Sequence, residues 1–471
     1  MRADNKPSIG EPVLFTYGLL GLCLMSPVLL FALTISNTNQ ADGFGFILIM
    51  VLAGVRISWI LSSSYRHLYE MIFWLFTYVF MGVAPFVQSR ADFWPGTTPG
   101  INLSFLEPAI TATIIGCLFV IAGSWLAGKR AISYLPSSIS ISPLRSNILA
   151  GVALLFSMFY VSRMGLSTFL ESRVAFARVR AGVWPEETVN AIVLAASSMT
   201  LLVAFLAQMQ LRAARQSQGL PGPRLLPFVL LVTLLYTVNP LSSPRYVFGT
   251  VALAVLASLG VFATVGRFRL VTASALFGLV VLFPAMDAFR YSTTGEVQTE
   301  DPLKSMTSGD FDAFAQLINT FEYVQSEGIT WGRQLLGVVL FWVPRSLWQD
   351  KPIDTGTLLA NYKGYHFDNL SAPIWAELFI NGGWILLVFV MFFLGYVFRV
   401  LDRKAESILS VSSAPPLLGC IIPFYLLIIL RGSLLAAMAY FAVIMVCALF
   451  VMERRVKSSG PTHSLGSAHM R

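Results

Sequence analysis

The stretch LLAAMAYFAVIMVCALFV (434–451) runs for 18 residues without a charge. As a helix rising 1.5 Å per residue it is long enough to cross most of the ~30 Å of bilayer hydrocarbon. In lipid, backbone N–H and C=O groups must be satisfied internally, which leaves only helices and closed barrels. The run is continuously apolar rather than alternating, so it reads as a helix. Similar runs recur from end to end. Of the 471 residues, 56% are hydrophobic and 12% charged, roughly half the charge of a soluble domain, and the mean hydropathy is +0.71. The expected fold class is therefore all-α: a polytopic integral membrane protein.

Spans are expected near 13–35, 44–63, 68–87, 105–128, 148–164, 189–210, 225–239, 247–265, 270–288, 378–399, 415–430 and 434–452, about twelve transmembrane helices. Basic residues concentrate in loops on the cytoplasmic side. Clusters such as Arg403–Lys404 and Arg454–Arg455–Lys457 then place both termini in the cytoplasm. Nine helices occupy 1–288, one large outer loop 289–377, three helices 378–455 and a cytoplasmic tail 456–471. In a bacterium the chain would lie in the inner membrane with the large loop in the periplasm. Cys23, Cys117, Cys420 and Cys447 fall inside apolar runs and read as small buried hydrophobes. There is no nucleotide-binding loop and no Cys/His metal spacing, so no cofactor, no metal and no nucleic-acid partner is expected.

The outer loop carries the informative polar residues. LLGVVLFWV (335–343) is too short to cross a bilayer and reads as a re-entrant or interfacial helix. FWVPRSLWQDKP (341–352) follows it. There, Pro344 and Pro352 would restrain an elbow, with Trp342 and Trp348 at headgroup depth and Arg345 beside them. SGDFDAFAQLINTFEYV (308–324) spaces Phe314, Leu317, Ile318, Phe321 and Val324 as one face of a helix. Asp310 reads as its cap, and Asp312 as a favourable charge at its positive end.

The outer side should be poor in basic residues, yet Arg173, Arg245, Arg290, Arg345 and Arg431 fall there. Snorkelling to headgroups or local pairing explains some outer arginines. Arg245, Arg345 and Arg431 lie in short turns, two of them restrained by proline. Guanidinium forks match phosphate oxygens and stay charged, so these three point to a polyanionic headgroup such as a lipid-linked diphosphate. Arg56, in the second span, reads as a snorkelling residue, and the spans otherwise look nearly free of charge. Glu377, in LSAPIWAELFINGGWILL (370–387), is either an interfacial acid paired with an arginine or a general base. His366, in NYKGYHFDN (361–369), competes for the base role, and aromatic residues there could stack on sugar rings.

Taken together, NPLSSPRYVFG (239–249), the SGDFDAF segment, FWVPRSLWQDKP with the following DTGTLLA (354–360), and SAPIWAELFINGG (371–383) resemble the oligosaccharide repeat unit polymerases, the Wzy-type O-antigen polymerases. The resemblance implies a GT-C-like glycosyltransferase working on the periplasmic face. Its substrate would be an undecaprenyl-diphosphate-linked oligosaccharide, and its reaction metal-independent and inverting. Arg245, Arg345 and Arg431, with Arg173 and Arg290 behind them, would hold the diphosphate. Glu377 or His366 would be the base, with Arg345 beside the reacting centre. Asp310, Asp312, Trp342, Trp348 and Tyr365 would contact glycan. Membrane lipids, a chain-length regulator and a flippase of the same pathway are the other implied partners. The alternatives are the related O-antigen ligase, which differs in its acceptor, and a lipid-linked oligosaccharide transporter, which would carry ionisable groups at mid-membrane depth.

Overall fold

The computed structural model describes residues 43–129, 139–282 and 305–454. The expected span at 13–35, Arg290 and the 456–471 tail lie outside the described residues.

The first part of the chain forms α1 (Phe44–Ser62), α2 (Leu68–Ala91, π-helical over Thr77–Val83), α3 (Leu106–Lys129) and α4 (Pro143–Met164). A short α5 (Arg173–Val183) leads into α6 (Glu187–Gln216), α7 (Leu225–Thr237), α8 (Arg245–Ser258) and α9 (Val265–Phe277). The loop region contains α10 (Ala313–Glu327), α11 (Arg333–Val339) and α12 (Thr355–Lys363). The chain then re-enters the bundle as α13 (Ile374–Leu409), α14 (Leu417–Arg431) and α15 (Leu434–Val451). A two-stranded antiparallel clip, β1 (Ile139–Ile141) with β2 (Met452–Arg454), ties the segment after α3 to the end of α15, with Ile141 opposite Met452.

Among the described residues, seven helices are long and apolar enough to cross a bilayer: α1, α2, α3, α4, α6, α13 and α15. The chain is thus all-α and of membrane-embedded type. The apolar helices α7, α8 and α14 are shorter, with 13, 14 and 15 residues. The span expected over 247–265 stops at Ser258 because Leu259 and Gly260 turn the chain, Gly260 with φ of 86°. The span expected over 270–288 begins in α9 and runs to the edge of the described residues.

α2 is the axis of the bundle. Its apolar residues point in every direction, and the whole of its spanning window is buried, as a helix hydrophobic all round requires. α3 and α13 cross so closely that backbone meets backbone. A Cβ on Gly123 would collide with the Phe392 carbonyl, and one on Gly395 with the Val120 carbonyl. Between helices in lipid, where burial of apolar surface gives little, such close packing through small residues is the main source of association.

α13 is not one straight helix. Gly382 and Gly383 leave helical geometry, Gly383 at φ 58°, so the element is two arms, 374–381 and 384–409. The break releases carbonyls from the helical ladder. Ile380 O accepts from Thr330 N at 2.9 Å and Asn381 O from Gly332 N at 3.0 Å. Asn381 Oδ1 accepts from Leu335 N at 3.1 Å, capping the first turn of α11 from outside. The NGG triplet therefore docks the loop onto the bundle.

The α3–α13 crossing should tolerate no side chain. Gly395→Leu is expected to lower thermal stability in detergent by about 1–3 kcal/mol or more through overpacking. Gly151→Ala in α4, where a Cβ meets nothing within 4 Å, should leave it unchanged or raised. Equal melting temperatures for the two variants would refute the crossing.

Candidate functional site

Two polar clusters are buried at opposite ends of the bundle, and the one under the loop contains two of the three arginines singled out by sequence. Asn239 shapes the turn before α8. Its Oδ1 accepts the N–H groups of Leu241 and Ser242, and its Nδ2 donates to Phe169 O. This delivers Arg245 as the first residue of α8, with Nη1 2.9 Å from Asp310 Oδ2. Arg431 is the last residue of α14. Its Nη2 lies 3.4 Å from Asp312 Oδ1 and 3.9 Å from Asp310 Oδ1. Its Nε and Nη2 donate to the Asp310 carbonyl at 3.2 and 3.1 Å. The guanidinium carbon sits 4.6 Å from the centre of the Tyr246 ring, a cation–π contact.

The two aspartates do not act as helix caps. Asp312 occupies the N-cap position of α10 without capping it; its carboxylate instead accepts the N–H and hydroxyl of Ser371. Burial pushes the Asp312 pKa up, while Arg431 and the two Ser371 bonds oppose that rise. Arg245, Arg431 and Asp310 keep 18%, 16% and 20% of their side-chain surface exposed, against 1% for Asp312. The cluster therefore has an open side bounded by two guanidinium groups and one carboxylate.

Glu377 belongs to the same network, one layer deeper. It is 1% exposed. Its Oε1 accepts from Leu434 N and its Oε2 from Thr355 Oγ1, both at 2.9 Å. Ser433 Oγ accepts from Thr355 N at 3.2 Å, and Arg431 O accepts from Ala372 N at 3.1 Å. The carboxylate thus caps α15 and fixes the Arg431–Ser433 turn, which in turn aims Arg431. Both of its oxygens hold structural donors, so what the structure shows of Glu377 is a positioning residue.

Arg345 is placed elsewhere. Its Nη1 donates to Lys351 O at 2.9 Å and its Nε is 3.6 Å from Glu187. Lys351 Nζ closes the elbow by donating to the carbonyls of Phe341 and Val343 at 2.6 and 2.8 Å. FWVPRSLWQDKP is a self-tied knot in which Arg345 holds the Lys351 carbonyl and Lys351 holds those of Phe341 and Val343, and Arg345 meets Glu187 rather than Asp310 or Asp312. Trp342 is exposed and Trp348 half-buried, on the outside of this knot. The seven residues of α11 just before it are too few to span, as expected. Arg173 opens α5 and faces Tyr440 of α15 electrostatically. His366 is exposed on the 364–369 turn, while the neighbouring Tyr365 Oη accepts from Asn319 Nδ2 at 3.2 Å.

The opposite cluster was not visible as such in the sequence. Arg56 does not snorkel: its Nη2 is 2.7 Å from Glu70 Oε2 and 2.9 Å from Ser124 Oγ, and it stacks 4.0 Å over Trp59. Glu70 Oε1 accepts from Ser124 at 2.6 Å. Asp402 accepts the backbone N–H groups of Tyr69 and Glu70, and Arg66 forks onto Glu406 at 2.7 and 2.8 Å. Two lone charges in successive apolar runs, Arg56 and Glu70, were the available signal; their shared location was not. Among the described residues, His67, Glu70 and Asp402 have ligand atoms within 4.8 Å of one another, the spacing a metal would need. Their lone pairs point at protein donors, however, and the Arg56 and Arg399 guanidinium groups beside them disfavour another cation. Arg399 donates to His67 Nδ1 at 2.9 Å. The same Arg399 Nη1 lies 3.3 Å from His67 Nε2, which also faces Ser63 Oγ 3.1 Å away.

Comparison with protein-family models, with curated proteins and with solved structures finds no match to this chain.

Because Glu377 is a cap, Glu377→Gln is expected to retain most of the stability and activity of the parent. Its amide oxygen can still receive Leu434 N–H, and its NH2 can donate to the Thr355 hydroxyl. Glu377→Leu leaves both groups buried and unsatisfied and should cost about 1–3 kcal/mol. A Gln variant as inactive as one lacking Arg431, but fully stable, would restore the general-base assignment.

Burial, reinforced by Arg399 and Arg56, pushes the His67 pKa from 6.5 down to about 3. Between those values the unfolded chain binds a proton that the folded chain does not, so folded stability is complete above pH 6.5 and falls as pH drops. Thermal melts at pH 7.5 and pH 5 should show this loss, and His67→Gln should flatten it; an unchanged slope in the variant would exclude His67 as the source.

Proposed function

We propose that this chain is a bacterial inner-membrane glycosyltransferase that polymerises undecaprenyl-diphosphate-linked oligosaccharide repeats into O-antigen or a related surface polysaccharide on the periplasmic face. The observation that carries the reading is the convergence of Arg245 and Arg431. They come from the ends of two different helices and meet over Asp310, each with part of its side chain exposed. The sequence resemblance to repeat unit polymerases adds to it.

The chemistry follows from the charges. A hydroxyl oxygen of the acceptor repeat bonds to the anomeric carbon as the bond from that carbon to the diphosphate oxygen breaks. The electron pair leaves on the diphosphate, and the hydroxyl proton needs an acceptor. Fixed guanidinium groups aimed at the departing oxygens stabilise the growing charge, which is the effective form of catalysis where no metal takes part. Asp310 is the part-exposed carboxylate and is the proton acceptor in this reading; Asp312 and Glu377 hold Arg431 in place. Binding of the diphosphate frees Asp310 from the arginines for this task, since a diphosphate offers them more oxygens than one carboxylate does. Direct displacement inverts the anomeric centre.

The transport alternative would draw on Arg56, Glu70 and Asp402. That cluster lies within two turns of the end of α1, in the first turn of α2 and near the end of α13, rather than midway across the bundle where a substrate path needs ionisable groups.

The test is extension of a synthetic polyprenyl-diphosphate-linked repeat by purified protein without nucleotide. Arg245→Lys and Arg431→Lys keep the charge but lose the fork, and each is expected to reduce turnover by roughly 10²–10³-fold with the protein still folded. Undiminished polymer from both would remove the diphosphate assignment. Transfer only to a lipid A core would make the chain a ligase.

A further inference from the structure

α10 turns a polar stripe into the protein. Asp312 precedes it, Gln316 follows one turn on, and Asn319 and Thr320 lie on the next turn, so their side chains neighbour one another along the helix. Gln316, Asn319 and Thr320 are fully buried. Thr320 bonds its own helix, donating to Gln316 O at 2.7 Å. The two amides do not close on themselves. Neither Oε1 nor Nε2 of Gln316 has a partner, and Asn319 Oδ1 has none, although Asn319 Nδ2 reaches Tyr365.

Buried polar atoms in folded proteins are nearly always hydrogen-bonded, and each exception calls for a cause. Packing supplies none, because methionine or leucine would fill the same volume without the desolvation cost. A carboxamide presents an acceptor and a donor side by side, the complement of a hydroxyl pair on a sugar ring. The stripe starts at Asp312, which Arg431 contacts. It leads through Tyr365 towards the Lys363–Glu322 pair at 2.7 Å and the Tyr323–Tyr362 edge contact at 5.2 Å, both at the loop surface.

We propose that Gln316 and Asn319 form a sugar subsite, binding hydroxyls of the glycan residue next to the diphosphate. Tyr365 exchanges its bond to Asn319 for the sugar as the glycan enters. The ligand's identity rests on the polymerase reading above; the unfilled amides do not.

The test uses the full chain in detergent or nanodiscs with two probes: polyprenyl diphosphate bearing no sugar, and polyprenyl diphosphate bearing a short oligosaccharide. The parent protein should bind the glycan-bearing probe about tenfold more tightly than the bare one, the contribution of one or two further hydrogen bonds. Gln316→Met and Asn319→Leu should bind the bare probe as the parent does and lose that preference. Without ligand, Gln316→Met should melt at or above the parent temperature, since it removes two unsatisfied atoms and no bond, whereas Asn319→Leu also gives up the bond to Tyr365. A preference that survives both substitutions means the amides hold only water, and overturns the subsite. A parent that binds the bare probe but shows no preference does the same while leaving the diphosphate reading intact. A parent that binds neither probe ends both. A Gln316→Met protein that fails to fold also counts against the subsite, because it would show that the amide has a structural partner.

Discussion

Every helix ends with backbone groups that its own ladder cannot satisfy, and in this protein those groups are where the loop attaches. Arg431, closing α14, donates to the carbonyls of Gly309 and Asp310 while its own carbonyl receives Ala372. Glu377 takes the first N–H of α15. Asn381 takes an N–H from the first turn of α11, and the break at Gly382–Gly383 exposes two more carbonyls for Thr330 and Gly332. In lipid no water would satisfy these groups, so leaving them unpaired is costly. The same requirement that makes the spans helical therefore draws the polar loop down onto their ends. It also gathers charged side chains from helices far apart in sequence into one place.

The fold was largely legible because its main signal is local. An unbroken apolar run means a helix wherever it occurs, and α1, α2, α3, α4, α6, α13 and α15 fall where such runs are. Lengths were less legible: α8 stops at Ser258 where a glycine at φ 86° turns the chain, while the apolar composition continues past it. Arginines in short turns led to Arg245 and Arg431, which the structure brings together because such turns sit at helix ends. The same pattern surrounds Arg345, which is tied to Lys351 instead. What separates the cases is the partner, and partners such as Asp310 for Arg245 or Ser371 for Asp312 are dozens of residues away. Asp310 looked like a cap and Asp312 like a charge at the positive end of α10, because both roles need only local sequence; their bonds reach other elements. Glu70, Asp402 and Arg56 were hidden for the same reason.

Charge balance distinguishes the two clusters. At the end away from the loop, Glu70, Asp402 and Glu406 have every carboxylate oxygen on a donor, and burial beside Arg399 and Arg56 disfavours the charged form of His67. Buried charges are costly unless compensated in this way, and the compensation joins α1, α2, α3 and α13 through side chains that no local motif connects. Breaking such a pair would strand the other partner. That is the behaviour of a clamp.

The loop end differs. Arg245, Arg431 and Asp310 keep part of their side chains exposed, and three amide atoms on α10 stay without partners in the interior. Apolar side chains of the same size would hold the loop without that cost. Proteins keep such unsatisfied groups mainly where a ligand completes them. Those buried amides, with the part-exposed charges beside them, are the physical case for a ligand under the loop. In the proposed reading the charged groups meet an anion, and the amides beside them meet what the anion carries.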